Sequence, residues 1–238
     1  MAVSTNKDGG KSMQKIAFVV FTFVIVAMLG KLGFWQLSRG AEKLKLQQQV
    51  EETAESTAIS DLTLLPTAPL WHRVSLVGVF DNSRPILLDN QLNNGRVGYH
   101  LYLPFRTQER WLLVNLGWLA APPYREMLPV IPDVHGEQTI TGIIAPASSL
   151  LTLKQEVAPT QWPLRVQNIE LTELATVLDR NLPTWVIQIS ATNPVALKQN
   201  WQPVVMKADK HYGYAMQWFV MAFAVLGMAG WWLLRESD

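Results

Sequence analysis

Two long apolar runs, one near each end of the chain, constrain this protein more than any other feature. The first, Ile16–Leu37, reads IAFVVFTFVIVAMLG, then Lys31, then LGFWQL. At about 1.5 Å per helical residue it reaches roughly 33 Å, enough for a hydrocarbon core of about 30 Å. The second, Tyr212–Leu234, contains no charge. Its Trp218 near one end and the Trp231–Trp232 pair at the other fit aromatic belts at two interfaces. A secretory signal peptide competes for the first run, because Lys7, Lys11 and Lys15 precede it. The run is too long for such a peptide and lacks a small-x-small cleavage site. Two transmembrane helices, 16–37 and 212–234, are therefore expected, with both ends of the chain on one side.

Composition agrees with that division. Only 16% of residues are charged, against roughly 25% in an average soluble domain. The deficit lies at the ends, and the segment between the runs is an ordinary, balanced polar sequence. A net charge of +1 and a pI near 8.0 offer no field for nucleic acid. The absence of cysteine excludes disulfides, thiolate metal sites and thiol catalysis. Ten Trp and eight Phe argue against disorder.

A short basic segment retained inside, with the long middle exported, is the expected orientation. That makes 1–15 and 235–238 cytoplasmic and 38–211 an exported β-rich domain. The exported segment opens with AEKLKLQQQVEETAESTA, rich in Glu, Gln and Lys, which reads as the first helix continuing out of the membrane. Strand patterns follow at 72–80, 85–90, 97–105, 111–119, 139–145 and 184–190, separated by turn signals such as Asn93-Asn94-Gly95. One helix is expected at 169–180, with Ile169, Leu171, Leu174, Val177 and Leu178 on one face. The fold class is an α+β membrane protein: two transmembrane helices flanking a mostly antiparallel β domain, barrel or sandwich-like, with one or two helices.

The chemistry-bearing motifs are sparse. Nucleophile elbow, zinc-protease, P-loop and dinucleotide signatures are missing. The four histidines (His72, His100, His135, His211) show no metal-ligand spacing. A triad of Ser75, His100 and Asp89 has no support in spacing, and Asp89 reads better as a turn residue. Lys31 reads as a snorkelling side chain, or as a partner for an anionic group. The glycines Gly30, Gly33, Gly227 and Gly230 read as helix-packing positions. His211, Tyr214, Ala215 and Trp218 form one polar-aromatic stripe. An interfacial belt explains it; an imidazole at membrane depth can also ligate a heme iron.

Several motifs occur together in order: GFWQLSR (33–39), HRVSLVGVF (72–80), LLDNQ (87–91), GYHLYLPF (98–105), VNLGWL (114–119) and KHYGYAMQWF (210–219). With two terminal spans, this set resembles the Surfeit locus protein 1 family, which assists assembly of cytochrome c oxidase. The resemblance implies a non-enzymatic assembly factor that aids heme a delivery to, or stabilisation in, oxidase subunit I; a short N-terminal segment without an Arg- and Ser-rich transit sequence points to a bacterial inner membrane. Oxidase subunit I, heme a synthase and the lipid bilayer are the implied partners. His211 matches the family's His at the start of the second span and becomes the candidate heme ligand, with no other metal ligand implied. Arg39 and Lys210 are candidate contacts for the heme propionates. Gly33, Trp35, Gln36 and Arg39 match the first-span motif, Asn115, Gly117 and Trp118 the central one, and Tyr214 and Trp218 lie in the last. One departure is Leu116, where the family commonly carries Arg. The alternative from the residues alone is a membrane-anchored exported β domain that binds a protein or lipid without heme.

Overall fold

The computed structural model describes residues 8–54, 56–60, 70–108, 110–147, 161–202 and 206–235, with side chains described from residue 13 onward and not for Ala54. The chain divides into two compact units, Met1–Gln48 with Val204–Asp238, and Gln49–Pro203.

In the first unit, helix α1 (Asp8–Ala54) runs for 47 residues without a break, about 70 Å at the usual helical rise. No Pro occurs in it, and the Glu-, Gln- and Lys-rich stretch after Arg39 is made of good helix formers. The helix thus continues past the apolar run, as its sequence suggests. Helix α3 (Ala208–Arg235) begins four residues before the second apolar run. Both helices are long and apolar enough to cross a membrane.

They pack antiparallel: Phe18 meets Trp232 with ring centroids 4.3 Å apart, and Phe34 meets Phe219 at 5.3 Å. The seam on α3 is a row of alanines seven residues apart, Ala208, Ala215, Ala222 and Ala229, all buried. On α1, Thr22, Gly33 and Gly40 are the buried positions among the described residues. The seven-residue steps along α3, and from Gly33 to Gly40 on α1, match the 3.5-residue period of a left-handed coiled coil, whereas Thr22 lies eleven residues before Gly33. Small residues let the backbones approach where lipid offers no hydrophobic drive to associate. The packing glycines are Gly33, which faces the Phe219 ring, and Gly40, which faces Tyr212. Gly30, Gly227 and Gly230 face open space, which corrects their expected role: they stand off the seam.

In the second unit, seven strands form one sheet: β1 (Arg73–Phe80), β2 (Ile86–Asn93), β3 (Arg96–Thr107), β4 (Arg110–Ala120), β5 (Glu137–Pro146), β6 (Leu164–Val166) and β7 (Trp185–Ile189). Their order is β1-β5-β7-β4-β3-β2-β6, and β1 also pairs with β3. That last pairing closes β1, β5, β7, β4 and β3 into a barrel-like ring, while β2 and β6 extend the sheet from β3. Most pairings are antiparallel, but β4–β7 and β2–β6 are parallel.

β3, β4 and β7 are buried along most of their length, which explains their continuous apolar runs. Leu101, Leu103, Phe105, Val114, Ile140 and Ile187 fill one core. Ile86, Leu88, Tyr102, Leu113 and Val186 face the other way, under helix α2 (Leu171–Leu178). α2 lies inside the expected 169–180 and buries Leu171, Leu174 and Leu178. It ends at Asp179, whose left-handed backbone lets its N–H bond Ala175 and Thr176 carbonyls.

Candidate functional site

Two polar constellations stand out, one in each unit. In the helix pair, His211 lies in the first turn of α3, next to the seam. Its Nδ1 is 2.8 Å from Oε1 of Gln36 on α1. The other ring nitrogen, Nε2, is buried and has no hydrogen-bond partner. A buried acceptor left unsatisfied costs about 1–3 kcal/mol, and such an atom asks for an explanation. Among the described residues no three His, Cys, Asp or Glu side chains gather to hold a metal ion. A lone imidazole therefore suits a metal that brings its other donors with it, as a heme iron does. Nε2 would be the atom offered to such a metal, but it is covered in this arrangement and a ligand would have to displace its neighbours.

The accompanying residues are placed differently. Arg39, one turn after Gln36, bonds Glu42 at 2.7 Å and lies 5.9 Å from the Trp35 ring centre. Its side chain is half-exposed, so the guanidinium remains open to a further anion. Lys210 is exposed; neighbouring residues on a helix point in different directions, so it does not share the His211 face. Tyr214 is exposed, whereas Ala215 is buried and Trp218 half-buried, so the stripe splits between seam and surface. Lys31 is exposed on α1. A groove of about 370 Å³ does separate the helices, but between Phe18, Thr22, Ala229 and Trp232, roughly 16–27 Å along α1 from Gln36.

The second constellation lies inside the β unit. A bulge in β4 leaves Leu116 unpaired between Asn115, which faces Tyr102, and Gly117, which faces Leu101. Asn115 accepts from the Gly117 N–H at 2.9 Å and donates to Gln188 at 2.7 Å. It also reaches Nδ1 of His100 at 3.4 Å, while Nε2 of His100 meets Oδ1 of Asn200 at 2.6 Å. Asn200 in turn donates to the Leu92 carbonyl at 2.8 Å. Burial holds the His100 imidazole below its ordinary pKa, and the Asn200 bond offsets that only in part. Burial also pushes the Tyr102 hydroxyl up to about 12, against the opposing effect of bonds to Gln188 and Asn115.

Gly117 sits at a φ of 121°, and a Cβ there would come within 2.6 Å of the Gln199 side chain and 2.9 Å of the Lys198 carbonyl. Only glycine allows that approach. Through it, Trp118 N–H bonds the Lys198 carbonyl and Leu197 N–H bonds the Leu116 carbonyl. The Trp118 indole reaches the Gln91 carbonyl at 2.8 Å, made available by a bulge at Asp89 and Asn90 in the LLDNQ stretch. Asn115, Gly117 and Trp118 are thus brought together, with their polar atoms spent on neighbouring strands. Leu116 is fully buried in the core, so at this position the chain packs instead of offering a charge.

Ser75, His100 and Asp89 are not assembled into a triad. Asp89 pairs with Arg125 at 3.2 Å and accepts from the Asn90 N–H, while the Ser75 N–H bonds Ile59. Sequence reasoning named Gln36 only as a motif residue and passed over Gln188 and Asn200. Their roles depend on partners far along the chain, and no local pattern marks them.

A barrel-like sheet in one unit and, in the other, two antiparallel helices each long and apolar enough to cross a membrane define a strand-rich domain protein with two candidate membrane spans. The chain belongs to the SURF1 family, whose sequence model matches residues 23–223. This family is known generally for cytochrome oxidase assembly and is not a family of enzymes. The chain is 25% identical over 218 residues to the SURF1-like protein of Rickettsia felis, covering 87% of this chain and 92% of that one. It is 25% identical over 217 residues to that of Rickettsia bellii, covering 87% and 86%, and 25% over 221 residues to that of Rickettsia prowazekii, covering 89% and 87%.

Proposed function

We propose that this protein assists assembly of cytochrome c oxidase in a bacterial inner membrane by holding heme a on its way to oxidase subunit I. One observation carries the reading: a buried imidazole nitrogen without a partner, in the first turn of a membrane-type helix. When bound, the heme supplies the iron and the apolar macrocycle that match a lone donor beside apolar surface. His211 offers Nε2 to the iron, and Gln36 holds the ring from the other side. Arg39, one turn from Gln36 and half-exposed, would meet a propionate, whereas Lys210, off the His211 face, would reach one only from the rim. The protein turns nothing over in this role; subunit I and heme a synthase are the partners between which it works.

The orientation that goes with this role keeps 1–15 and 235–238 in the cytoplasm and exports 38–211. A cytoplasm-active reporter after Asp238 then works, and one inserted at Asn93-Asn94 fails; the reverse pattern overturns the orientation. The heme reading is tested by titrating the purified full chain with heme a. A shifted Soret band in the wild type, lost in His211→Ala, is the expected result. An unchanged spectrum in His211→Ala removes His211 as ligand.

A second reading, binding of a protein partner without heme, draws on an apolar patch of the β unit. Tyr124, Met127 and Val130 on the loop after β4 are 69%, 54% and 91% exposed. The same loop begins beside Val97, through Ala121 N–H on the Val97 carbonyl, and Val97 and its cross-strand partner Leu92 are exposed too. Exposed apolar clusters of this kind mark docking surfaces. Oxidase assembly lost in a Tyr124→Ser/Val130→Ser variant, with no Soret shift in the wild-type titration, favours this reading.

A further inference from the structure

The contact between Gln36 and His211 does more than join two helices. Gln36 presents its amide oxygen to Nδ1; an oxygen only accepts, so with the amide in this orientation Nδ1 carries the proton. In a neutral imidazole the other nitrogen then keeps its lone pair. That nitrogen, Nε2, is the buried atom without a partner. We infer that Gln36 is a positioning residue: it fixes His211 in the Nδ1–H tautomer and thereby keeps the Nε2 lone pair free for a Lewis acid that displaces the atoms covering it. The inference rests on the reading of His211 as a heme ligand and adds the residue that prepares it.

The placement leaves little choice of substitute. One turn or so on either side of Gln36, the buried seam positions of α1 are Gly33 and Gly40, which face the Phe219 and Tyr212 rings and have no side chain to offer. On α3, the buried neighbours of His211 along the seam are Ala208 and Ala215. Gln36 therefore supplies a hydrogen bond that the buried seam residues nearby, Gly33, Gly40, Ala208 and Ala215, cannot make. Were the amide reversed, its NH₂ would donate to Nδ1, the proton would move to Nε2, and the nitrogen left over would be a donor unable to bind a metal. The orientation of one amide thus decides whether His211 can act as a ligand. Outer partners of this kind typically set metal affinity by about 10–100-fold.

The test is nitrogen-15 NMR of the full chain, labelled at histidine, in lipid nanodiscs, with a parallel titration by ferric protoporphyrin IX. Long-range couplings identify which ring nitrogen of His211 is protonated, with His211→Ala assigning the signal. The wild type should show Nδ1–H. Gln36→Leu should lose that single tautomer and bind the porphyrin about 10-fold or more weakly. Gln36→Glu, which still accepts from Nδ1, should keep the tautomer and rescue binding; helical content of each variant by circular dichroism shows that the pair is folded. A wild type protonated at Nε2, or an unchanged tautomer in Gln36→Leu, overturns the inference. Porphyrin binding that survives His211→Ala would instead remove the ligand reading, while the tautomer signal would still decide the role of Gln36.

Discussion

Gly40 and Tyr212 meet so closely that a Cβ on Gly40 would stand 2.5 Å from the tyrosine ring. Gly33 bears the same relation to Phe219, at 2.6 Å. The two glycines lie seven residues apart on α1, and the two aromatic residues seven apart on α3, so the rings seat into the vacated positions one after the other. The helix pair is held by shape at these points.

Gly40→Leu should therefore separate the helices locally, at a cost of about 1–3 kcal/mol by overpacking. Gly30→Leu, at a position facing open space, should be near neutral. The chain has no cysteine, so Gln36→Cys with His211→Cys gives a clean pair for a short bismaleimide. Cross-linking yield should fall in the Gly40→Leu background and hold in Gly30→Leu. Equal yields in both would refute the seam.

Gly117→Ala tests the β4 bulge. The side chain must tolerate a positive φ and displace both the Gln199 side chain and the Lys198 carbonyl. Backbone strain alone is about 1–3 kcal/mol. The melting temperature should drop by several degrees, and amide exchange should quicken at Leu197 and Trp118, whose N–H groups bond across this approach. A melting curve identical to the wild type would show that the approach is not required.

His100 gives the β unit a pH dependence of known sign. Its folded imidazole titrates below the ordinary 6.5 because burial disfavours the charged form. As pH falls through about 6.5, the unfolded chain takes up the proton first, so stability present above that pH is lost on the way down. The loss stops once the folded imidazole is protonated as well. His100→Gln, which cannot titrate, should flatten this part of the profile in thermal melts between pH 7.5 and 4.5. Superimposable profiles for the two proteins would rule the effect out.

Leu116→Arg puts at this position the residue that the sequence resemblance leads one to expect. In this chain the position is fully buried among apolar side chains, and an unpaired buried charge is strongly destabilising, by about 3–5 kcal/mol. Expression of folded protein should fall sharply, whereas Leu116→Met should be tolerated at a cost under about 1.5 kcal/mol. Full stability of Leu116→Arg would mean that the guanidinium finds a partner that the leucine form conceals.

Much of this architecture was legible in the order of the residues. The two apolar runs, the helical extension after Arg39, six of the seven strands and α2 all follow from patterns carried by neighbouring residues. β6 was missed because three residues, Leu164–Val166, are too short to show an alternation. Its strand character comes from pairing with Ile86–Leu88 on β2. The packing role of Gly40 was hidden too, since a glycine in a polar helical stretch looks the same whether or not a ring lies against it.

What the sequence determined by itself is local: where a helix is long enough to cross a membrane, where side chains alternate, and where a turn interrupts. Such features need only contiguous residues, because period and length are properties of the chain segment. What tertiary structure alone decided is who meets whom. Gln36 and His211 are 175 positions apart, Asn115 and Gln188 are 73 apart, and His100 and Asn200 are 100 apart. The closure of the ring by β1 on β3 is of the same kind. These contacts form because packing brings distant polar groups into apolar surroundings, where each must find a partner or remain, like Nε2 of His211, without one.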